Sequence, residues 1–374
     1  MNNARKTHNI LSENRQLGPF PTHRLKHVEN PTNLLTDKIQ RIDSREIAFA
    51  RGARGDYGLA VQREAGRTTS KSPLAATMRD TLRYLSHFKC SQVVAQEAPV
   101  PNNPIVLSRH IKRLGYFLKA DIMGICEVPE YAVYSHDRLG NPININYKYA
   151  IVIVARKEYE TMYASTGYDW SGVVISTQAY QHLGLVAHTI AEYIRRLGYP
   201  AQAQHAFQDP VGYNVAIPPL LLWAGIGEVS RAGIILNPFL GLAYKAAAVL
   251  TDLPLVPDKP IDFGLQDFCQ NCKICAKECP SKAIPMGDKV LWNGYETWKI
   301  NDKQCASFNI LNKTGTICNK CVKVCPWTRP DTWQHNLVRW GVTHSSIARR
   351  LAVKADNIWQ DHRKAHMKNK WWFD

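Results

Sequence analysis

The sequence contains no apolar run long enough to cross a bilayer, which takes ~20 consecutive apolar residues. Its longest apolar stretches lie around Tyr149–Ala155 and Pro218–Ile226, and such lengths are typical of buried strands or core helices. The first residues, Met1–Lys6, form no apolar signal region, and no twin-arginine pair opens the chain. These absences predict a cytoplasmic protein without a membrane anchor.

Acidic residues are scarce as well: 31 Asp and Glu stand against 47 Lys and Arg, which gives a formal net charge of +16. No zinc-finger, helix-turn-helix or RNA-recognition signature accompanies this charge, so we do not expect nucleic-acid binding. The charge fits either a solvated basic surface or the docking of an acidic redox partner. The 374 residues are 45% hydrophobic, enough for a sizeable core and two or three domains.

Composition divides the chain into four segments. Residues 1–75 are polar and basic and are interpreted as an arm that wraps a core. Residues 76–258 alternate helical and strand-like patterns and should form that core. Residues 259–330 hold eight of the ten cysteines, and residues 331–374 form a basic, tryptophan-rich tail that we expect to be helical and to pack on the core.

Three helices and one strand are predicted within the core segment. Thr81–Phe88 and Ser108–Leu118 have helical patterns, and Tyr149–Ala155 is a near-continuous apolar run typical of a central strand. Gln181–Leu197 has apolar residues on one helical face and is followed by Gly198, a common helix stop.

The cysteines carry the strongest chemical signal. The first motif, Cys269–Pro280, is C-x2-C-x2-C-x3-C-P, the bacterial ferredoxin run, and the second, Cys305–Pro326, is C-x12-C-x2-C-x3-C-P. In two-cluster ferredoxins the fourth cysteine of each run ligates the other cluster. The predicted ligand sets are therefore Cys269, Cys272, Cys275 and Cys325 for one [4Fe–4S] cluster, and Cys305, Cys318, Cys321 and Cys279 for the other.

Zinc and disulfides explain these cysteines less well. Structural zinc sites pair C-x2-C units without the x3-Cys-Pro ending, and a disulfide framework is not expected in a long cytosolic chain. Cys90 and Cys126 lie outside both motifs and are interpreted as buried structural cysteines.

The paired cysteine motifs, in this order and near the C-terminal end, resemble those of the reductive dehalogenases, a corrinoid-dependent iron–sulfur family. Other segments also resemble this family: Leu17–His23, Arg51–Gly58, Tyr147–Ile153, Ala224–Gly241 and Pro257–Cys269. The most similar branch is the cytoplasmic, catabolic one that acts on halogenated phenols and hydroxybenzoates, here without the C-terminal reductase extension of some members.

This resemblance implies an α+β fold, with a nitroreductase-like core that binds a base-off corrinoid and a bacterial-ferredoxin-like module with two [4Fe–4S] clusters near the C-terminus. It implies a reductive dehalogenase in which cob(I)alamin, reduced through the clusters, removes halide from an ortho-halophenol or halo-hydroxybenzoate. An external ferredoxin or flavodoxin would supply electrons, and an oligomer is left open. The sequence lacks the D-x-H-x-x-G run whose histidine ligates cobalt in other corrinoid proteins, as an open lower axial position would require.

The resemblance also selects a proton donor. The family uses a tyrosine at the start of a helix that ends in a Leu-Gly-Tyr turn, and Tyr180 precedes the helix that ends at Leu197–Tyr199. Tyr168 is the alternative. Without the resemblance, a tyrosine at such a position is more often a packed core residue.

A basic residue follows the Asn-Pro-Phe-x-Gly segment of the family, and Lys245 occupies that place after Asn237–Gly241. Arg231 is a weaker candidate, and a surface lysine is the alternative interpretation of Lys245. A proton donor beside a cation combines general-acid catalysis with anchoring of a phenolate or carboxylate.

Corrinoid contacts are expected in the glycine-rich segment around these residues, where the backbone can approach a cofactor closely. Its Gly-x-Gly-x-x-Ser portion lacks the third glycine of a dinucleotide fingerprint, so NAD or flavin binding is not inferred. The candidate corrinoid contacts are Ser230, Gly233, Asn237 and Gly241. His205 is either a pocket residue or, more simply, a hydrogen-bonded structural histidine.

Two other functions stay open. Epoxyqueuosine reductases act on tRNA and also pair a corrinoid with two such clusters, but that family uses an acidic proton donor, for which Asp169 is the candidate. A non-enzymatic electron carrier would need only the cysteine module, and the long segment before residue 259 argues against it.

Overall fold

The computed structural model of the chain describes residues 16–68, 70–87, 93, 99–208, 212–314, 317–359 and 363–372. Its helices are α1 (Ala48–Arg54), α2 (Leu59–Ala65), α3 (Pro73–His87), α4 (Pro104–Phe117), α5 (Tyr159–Ala164), α6 (Ser171–Arg196), α7 (Ile217–Trp223), α8 (Leu265–Cys272), α9 (Ile274–Lys277), α10 (Asp302–Leu311), α11 (Lys320–Lys323), α12 (Trp333–His344) and α13 (Ser346–Trp359). Its strands are β1 (Ile122–Glu127), β2 (Tyr149–Arg156), β3 (Ala201–Gln204), β4 (Glu228–Val229), β5 (Ile235–Leu236), β6 (Tyr244–Thr251), β7 (Val290–Trp292) and β8 (Tyr295–Thr297).

An antiparallel sheet with the order β1-β2-β6-β3 forms the centre of the core. Strand β2 is buried along its whole length except for Arg156, because both sheet faces are covered and each alternate side chain meets an apolar layer. The predicted central strand is therefore confirmed. Register places Ala155 opposite Lys245 at the end of β2 and β6.

Helices cover the two faces of this sheet. Ile151 and Ile153 of β2 pack against α6 and α4 on one face. Val152 and Val154 pack on the other face against α7 and against Phe20 of the N-terminal arm. The sheet thus holds α6 and the end of β6 in fixed positions relative to each other.

Helix α6 begins ten residues before its predicted start at Gln181, because it spans Ser171–Arg196. The expectation that Tyr180 stands at a helix start is therefore wrong, since Tyr180 lies in the third turn. The first turns of α6, Ser171–Thr177, are buried on all sides, so they show none of the one-sided periodicity that indicates a helix from sequence.

The N-terminal arm contacts distant parts of the chain. His27 forms an isolated β-bridge with Ile261, and Leu35 forms another with Tyr295. The Arg41 guanidinium donates to the carbonyls of Val133, Tyr134 and Ile143. The arm also contains α1 and α2, which pack on α10 of the cysteine-rich segment.

A third apolar cluster unites the cysteine-rich segment with the C-terminal helices. Phe263, Phe268 and Trp327 lie in it together with buried residues of α12 and α13, such as Val342 and Val353. The tail is helical, as the sequence predicts. Among the described residues, no helix has the length and apolar character needed to span a membrane.

Candidate active site

Four of the predicted cluster ligands surround a small cavity beside α8. Cys269, Cys272 and Cys275 line it together with Cys325, the last cysteine of the second motif. Lys273 directly follows the end of α8, and its left-handed backbone (φ 54°) turns the chain and brings Cys275 toward the same space. The structure thus brings together the four residues of the first predicted set.

The other four cysteines lie around a second, neighbouring position. The thiols of Cys305, Cys318 and Cys321 each interact electrostatically with Cys279, the last cysteine of the first motif. Those of Cys318 and Cys321 also interact with Cys305. Asn319 has a left-handed backbone (φ 53°) at the same place in its motif as the residue that turns the chain after α8. Each motif therefore sends its fourth cysteine to the other set.

The chemistry of the two sets fits two [4Fe–4S] clusters. Burial raises the pKa of the Cys272 thiol to about 12 and that of Cys325 to about 11, so cluster binding would release protons from these thiols. Cys279 differs, because burial opposes its ionisation but hydrogen bonds from Ser281 and from the Ala283 backbone N–H lower its pKa.

A cavity of about 850 Å³ lies between the arm, the core and the cysteine-rich segment. This volume is near the upper end for small-molecule sites. Two buried polar atoms on its lining have no hydrogen-bond partner among the described residues: the indole Nε1 of Trp298 and the side-chain oxygen of Asn33. A corrinoid carries many amide groups that can donate and accept hydrogen bonds, so these atoms fit such a ligand. Gly233 also lines this cavity.

Tyr180 and Lys245 lie together. The Lys245 Nζ is 4.8 Å from the centroid of the Tyr180 ring, so the ammonium faces the aromatic ring in a cation–π arrangement. Tyr180 comes from α6 and Lys245 from β6, and the packing of α6 on the sheet fixes their distance. The pair can donate a proton and stabilise the anion that is left.

Two more tyrosines connect this pair with the large cavity. Tyr213 interacts electrostatically with both Tyr180 and Tyr134, and Tyr134 lines the cavity. Burial raises the pKa of Tyr213 well above its ordinary value, and the neighbouring tyrosines raise it further. Sequence reasoning missed Tyr213 and Tyr134, because no motif marks either residue.

Lys157 is a second lysine at this end of the sheet. It is buried, and its Nζ donates a 2.7 Å hydrogen bond to the side-chain oxygen of Asn319. Burial lowers the pKa of Lys157 well below its ordinary value, the charge of Lys245 lowers it further, and Cys321 opposes this shift. Lys157 therefore lies between the Tyr180–Lys245 pair and the second cysteine set, and only the sheet register could have revealed it.

Helix α6 touches the second cysteine set as well. The Asn319 side-chain amide donates to the Gly172 carbonyl at 2.9 Å, and a Cβ at Gly172 would overlap the Ile317 carbonyl oxygen. Glycine is therefore needed for this close approach. The same helix carries Tyr180 two turns later.

Arg231 belongs to the first cysteine set and not to the tyrosine site. Its buried guanidinium donates to the carbonyls of Cys269, Pro285 and Gly287. It also lies 4.9 Å from the Trp298 ring centroid. These contacts hold the α8 region in place.

Three of the four candidate corrinoid contacts have local structural partners. The Ser230 hydroxyl donates to the Ile234 carbonyl. The Asn237 amide donates to the Ile226 carbonyl, and its oxygen accepts from the backbone of the next turn. Gly241 (φ 60°) lies against Thr328, which a Cβ would overlap.

Asp169 and Tyr168 have positions that do not suit a proton donor. The Asp169 carboxylate accepts hydrogen bonds from Ser165, Thr166 and Ser171. Burial opposes its ionisation, but these bonds together lower its pKa, so it stays ionised where α6 begins. Tyr168 is 57% exposed.

His205 is fully buried and hydrogen-bonded at both ring nitrogens. Its Nδ1 lies 2.8 Å from the Ala206 carbonyl oxygen, and its Nε2 lies 2.8 Å from Nε2 of His188. Burial lowers the pKa of His205 to about 4, with a further contribution from His188. These contacts match the structural interpretation of this residue. Cys126 is buried as well, and Cys90 lies outside the described residues.

The comparisons with known proteins agree with this geometry. The 4Fe–4S dicluster domain family matches residues 268–328. The catabolic reductive dehalogenase NpRdhA, solved in complex with 3-bromo-4-hydroxybenzoic acid, is 35% identical and matches 98% of this chain and 53% of its own with a TM-score of 0.91. The chain is therefore similar to reductive dehalogenases over nearly its whole length.

Further reductive dehalogenases give the same result. A reductive dehalogenase whose structure suggests a mechanism for B12-dependent dehalogenation also has a TM-score of 0.91, at 35% identity over 98% of this chain and 53% of that one. The tetrachloroethene reductive dehalogenase of Desulfitobacterium hafniense is 36% identical over 204 residues, 51% of this chain and 35% of that protein. This chain spans about half the length of the solved relatives and a smaller share of the curated one. The predicted resemblance to reductive dehalogenases, the α+β fold and the dicluster segment are confirmed.

Proposed function

We propose that this protein is a corrinoid- and iron–sulfur-dependent reductive dehalogenase that acts on halogenated phenols or hydroxybenzoates. The overall reaction takes two electrons and one proton, breaks a carbon–halogen bond, forms a carbon–hydrogen bond and releases halide. The observation that carries the proposal is the Tyr180–Lys245 pair, with Nζ 4.8 Å from the ring centroid. NpRdhA, with which this chain shares its fold, binds 3-bromo-4-hydroxybenzoic acid.

The two cysteine sets would hold two [4Fe–4S] clusters, and the 850 Å³ cavity would hold the corrinoid. When bound, the corrinoid supplies the low-valent cobalt chemistry that breaks the carbon–halogen bond. Gly233, Trp298 and Asn33 line the cavity, where the unpaired atoms of the latter two would meet its amides. Ser230, Asn237 and Gly241 would shape the surrounding loop.

The residues of the chain supply the proton and the anchoring charge. Tyr180 would donate its hydroxyl proton to the substrate carbon, and Lys245 would stabilise the phenolate that remains. The same ammonium would attract the phenolate or carboxylate of the substrate. An external ferredoxin or flavodoxin would reduce the clusters.

Anaerobic reconstitution with iron, sulfide and a corrinoid tests this proposal. We expect about eight irons and one cobalt per chain and halide release from 3-bromo-4-hydroxybenzoate with titanium(III) citrate as reductant. Eight irons without cobalt would remove the corrinoid mechanism. Cobalt binding with activity on epoxyqueuosine-containing tRNA, but no halide release, would transfer the proposal to the tRNA enzyme.

A further inference from the structure

The C-terminal helices present an exposed apolar surface to solvent, which we call the α12–α13 face. Helix α12 exposes Trp333, Leu337 and Trp340 at helical spacing, and α13 exposes Ile347 and Leu351. Trp333 is 73% exposed and Ile347 is 70% exposed. Large exposed apolar side chains on two helices that pack on each other indicate an interaction site.

The exposed charges within α12 and α13 have one sign. Arg350 and Lys354 are exposed beside Leu351 on α13. The only carboxylate in 333–359 is Asp356, and its side chain pairs with Arg329 at 2.6 Å and is 11% exposed. A partner that covers the face would therefore meet basic and apolar groups, which is complementary to an acidic protein.

The inner side of the same helices packs on the first cysteine set. Helix α13 contacts α8, which carries Cys269 and Cys272, and Arg349 forms a 3.0 Å ion pair with Asp267 of α8. Packed helices lie about 8–10 Å apart between axes. The α12–α13 face is thus one helix layer away from the ligands of the first predicted cluster.

Two aromatic side chains lie beneath α12 and α13. Phe268 and Trp327 line a cleft of about 670 Å³ whose other walls include Val338 and Leu351. Their rings stack edge to face, with centroids 5.6 Å apart. Phe268 precedes Cys269 in sequence, and Trp327 follows the Cys325–Pro326 pair, so the cleft runs from the exposed face toward the cysteines.

The two cysteine sets also differ in their distance from the tyrosine site. Cys321, of the second set, interacts with Lys157, which interacts with Lys245. Cys305 lies on α10, whose first residue, Asp302, lines the large cavity. The second set is therefore nearer to the tyrosine site, and we call it the inner set, whereas the first set, which we call the outer one, lies on the side of the exposed helices.

We propose that the α12–α13 face is the docking site of a small acidic ferredoxin, which delivers electrons to the cluster held by Cys269, Cys272, Cys275 and Cys325. This inference rests on the proposed function only for the fate of the electrons. One electron passes from the reduced ferredoxin to the outer cluster at each encounter, and the ferredoxin leaves oxidised. Charge attraction by Arg350 and Lys354 would raise the encounter rate.

The test measures electron transfer and not dehalogenation, so failure of the proposed function cannot be mistaken for failure of this inference. The reconstituted full chain is mixed in a stopped-flow instrument with a reduced acidic [2Fe–2S] ferredoxin, whose visible spectrum differs from that of [4Fe–4S] clusters. We expect the Arg350→Glu/Lys354→Glu double variant to be reduced at least about tenfold more slowly than wild type at low salt. Its reduction by titanium(III) citrate should be unchanged.

The matched control is Arg24→Glu/Arg63→Glu, which changes the net charge equally and alters exposed residues outside the face. An equal slowing in the control, or a rate within twofold of wild type in the test variant, would overturn the proposal. Sedimentation equilibrium and co-sedimentation with phosphatidylglycerol vesicles test the other occupants. A wild-type dimer that Trp340→Glu dissociates, or vesicle binding that the same change abolishes, would assign the face to a second copy or to a membrane and also overturn it.

Discussion

Replacement of Lys245 by methionine tests how the lysine acts on Tyr180. The Nζ lies 4.8 Å from the Tyr180 ring centroid. With the phenolate charge placed at the ring centroid, the cation and the phenolate attract each other by about 3.5 kcal/mol for an effective dielectric constant of about 20. Because each 1.36 kcal/mol corresponds to a factor of ten in rate, Lys245→Met should lower kcat by roughly 400-fold. Methionine is apolar and close in length, so it should leave the fold intact.

Halide release measured against substrate concentration gives kcat and KM separately. If Lys245 acts through the phenolate, the loss falls on kcat, and Lys245→Met should cost little further activity in a Tyr180→Phe background. Tyr193→Phe is the matched control, since it also removes a phenol hydroxyl from α6. In wild type that hydroxyl lies 2.8 Å from the His110 ring and forms a hydrogen bond with it.

The reasoning would be refuted by a Lys245→Met enzyme whose kcat stays within tenfold of wild type. A rise in KM with an unchanged kcat would show that the lysine anchors the substrate anion instead. Equal losses from Lys245→Met with and without Tyr180 would show that the two residues act independently.

Three further predictions concern other parts of the structure. The pKa of buried His205 is lowered to about 4, whereas a histidine of the unfolded chain has a pKa near 6.5. This group therefore contributes about 3 kcal/mol of stability above pH 6.5, which is lost as the pH falls toward 4. In urea unfolding, the stability of His205→Asn should depend less on pH over that range than the stability of wild type. Cys279→Ala should remove the cluster of the second motif, although Cys279 belongs to the first, and electron paramagnetic resonance should then show the outer cluster alone. Gly241→Ala should lower the free energy of unfolding by several kcal/mol, since the new Cβ would overlap Thr328 and the backbone has φ 60°. The control is Gly287→Ala, whose Cβ would lie in open space and which should be nearly neutral in the same denaturation assay.

Cysteine spacing and apolar runs in the sequence were sufficient to predict the β2 strand and the two cysteine sets, because local pattern determines both. The β2 run is apolar throughout because both sheet faces are covered. The cysteine sets follow from spacing because a cubane requires thiolates on tight turns, and the structure has left-handed backbone at both Lys273 and Asn319. The Lys245 candidate came from a family resemblance and lies beside Tyr180.

The remaining features depend on long-range packing, which leaves little trace in sequence. The start of α6 is buried on all sides, so its helical period is hidden. Strand β6 is rich in alanine, which is uncommon in strands. Lys157 acquires its neighbours only through the pairing of β2 with β6. The Ser230 hydroxyl and the Asn237 side-chain oxygen form their hydrogen bonds within their own turns, a use that Asn-Pro sequences often have.

Helix α6 fixes the distance between the inner cysteine set and Tyr180. It touches the loop of the inner cysteine set at Gly172 and carries Tyr180 eight residues later, which is about 12 Å at 1.5 Å per residue. A continuous helix does not stretch, so the spacing between the inner cysteine set and the proposed proton donor is built into one segment. Substrate range could therefore diverge through the surrounding loops while the distance between these two sites stays constant.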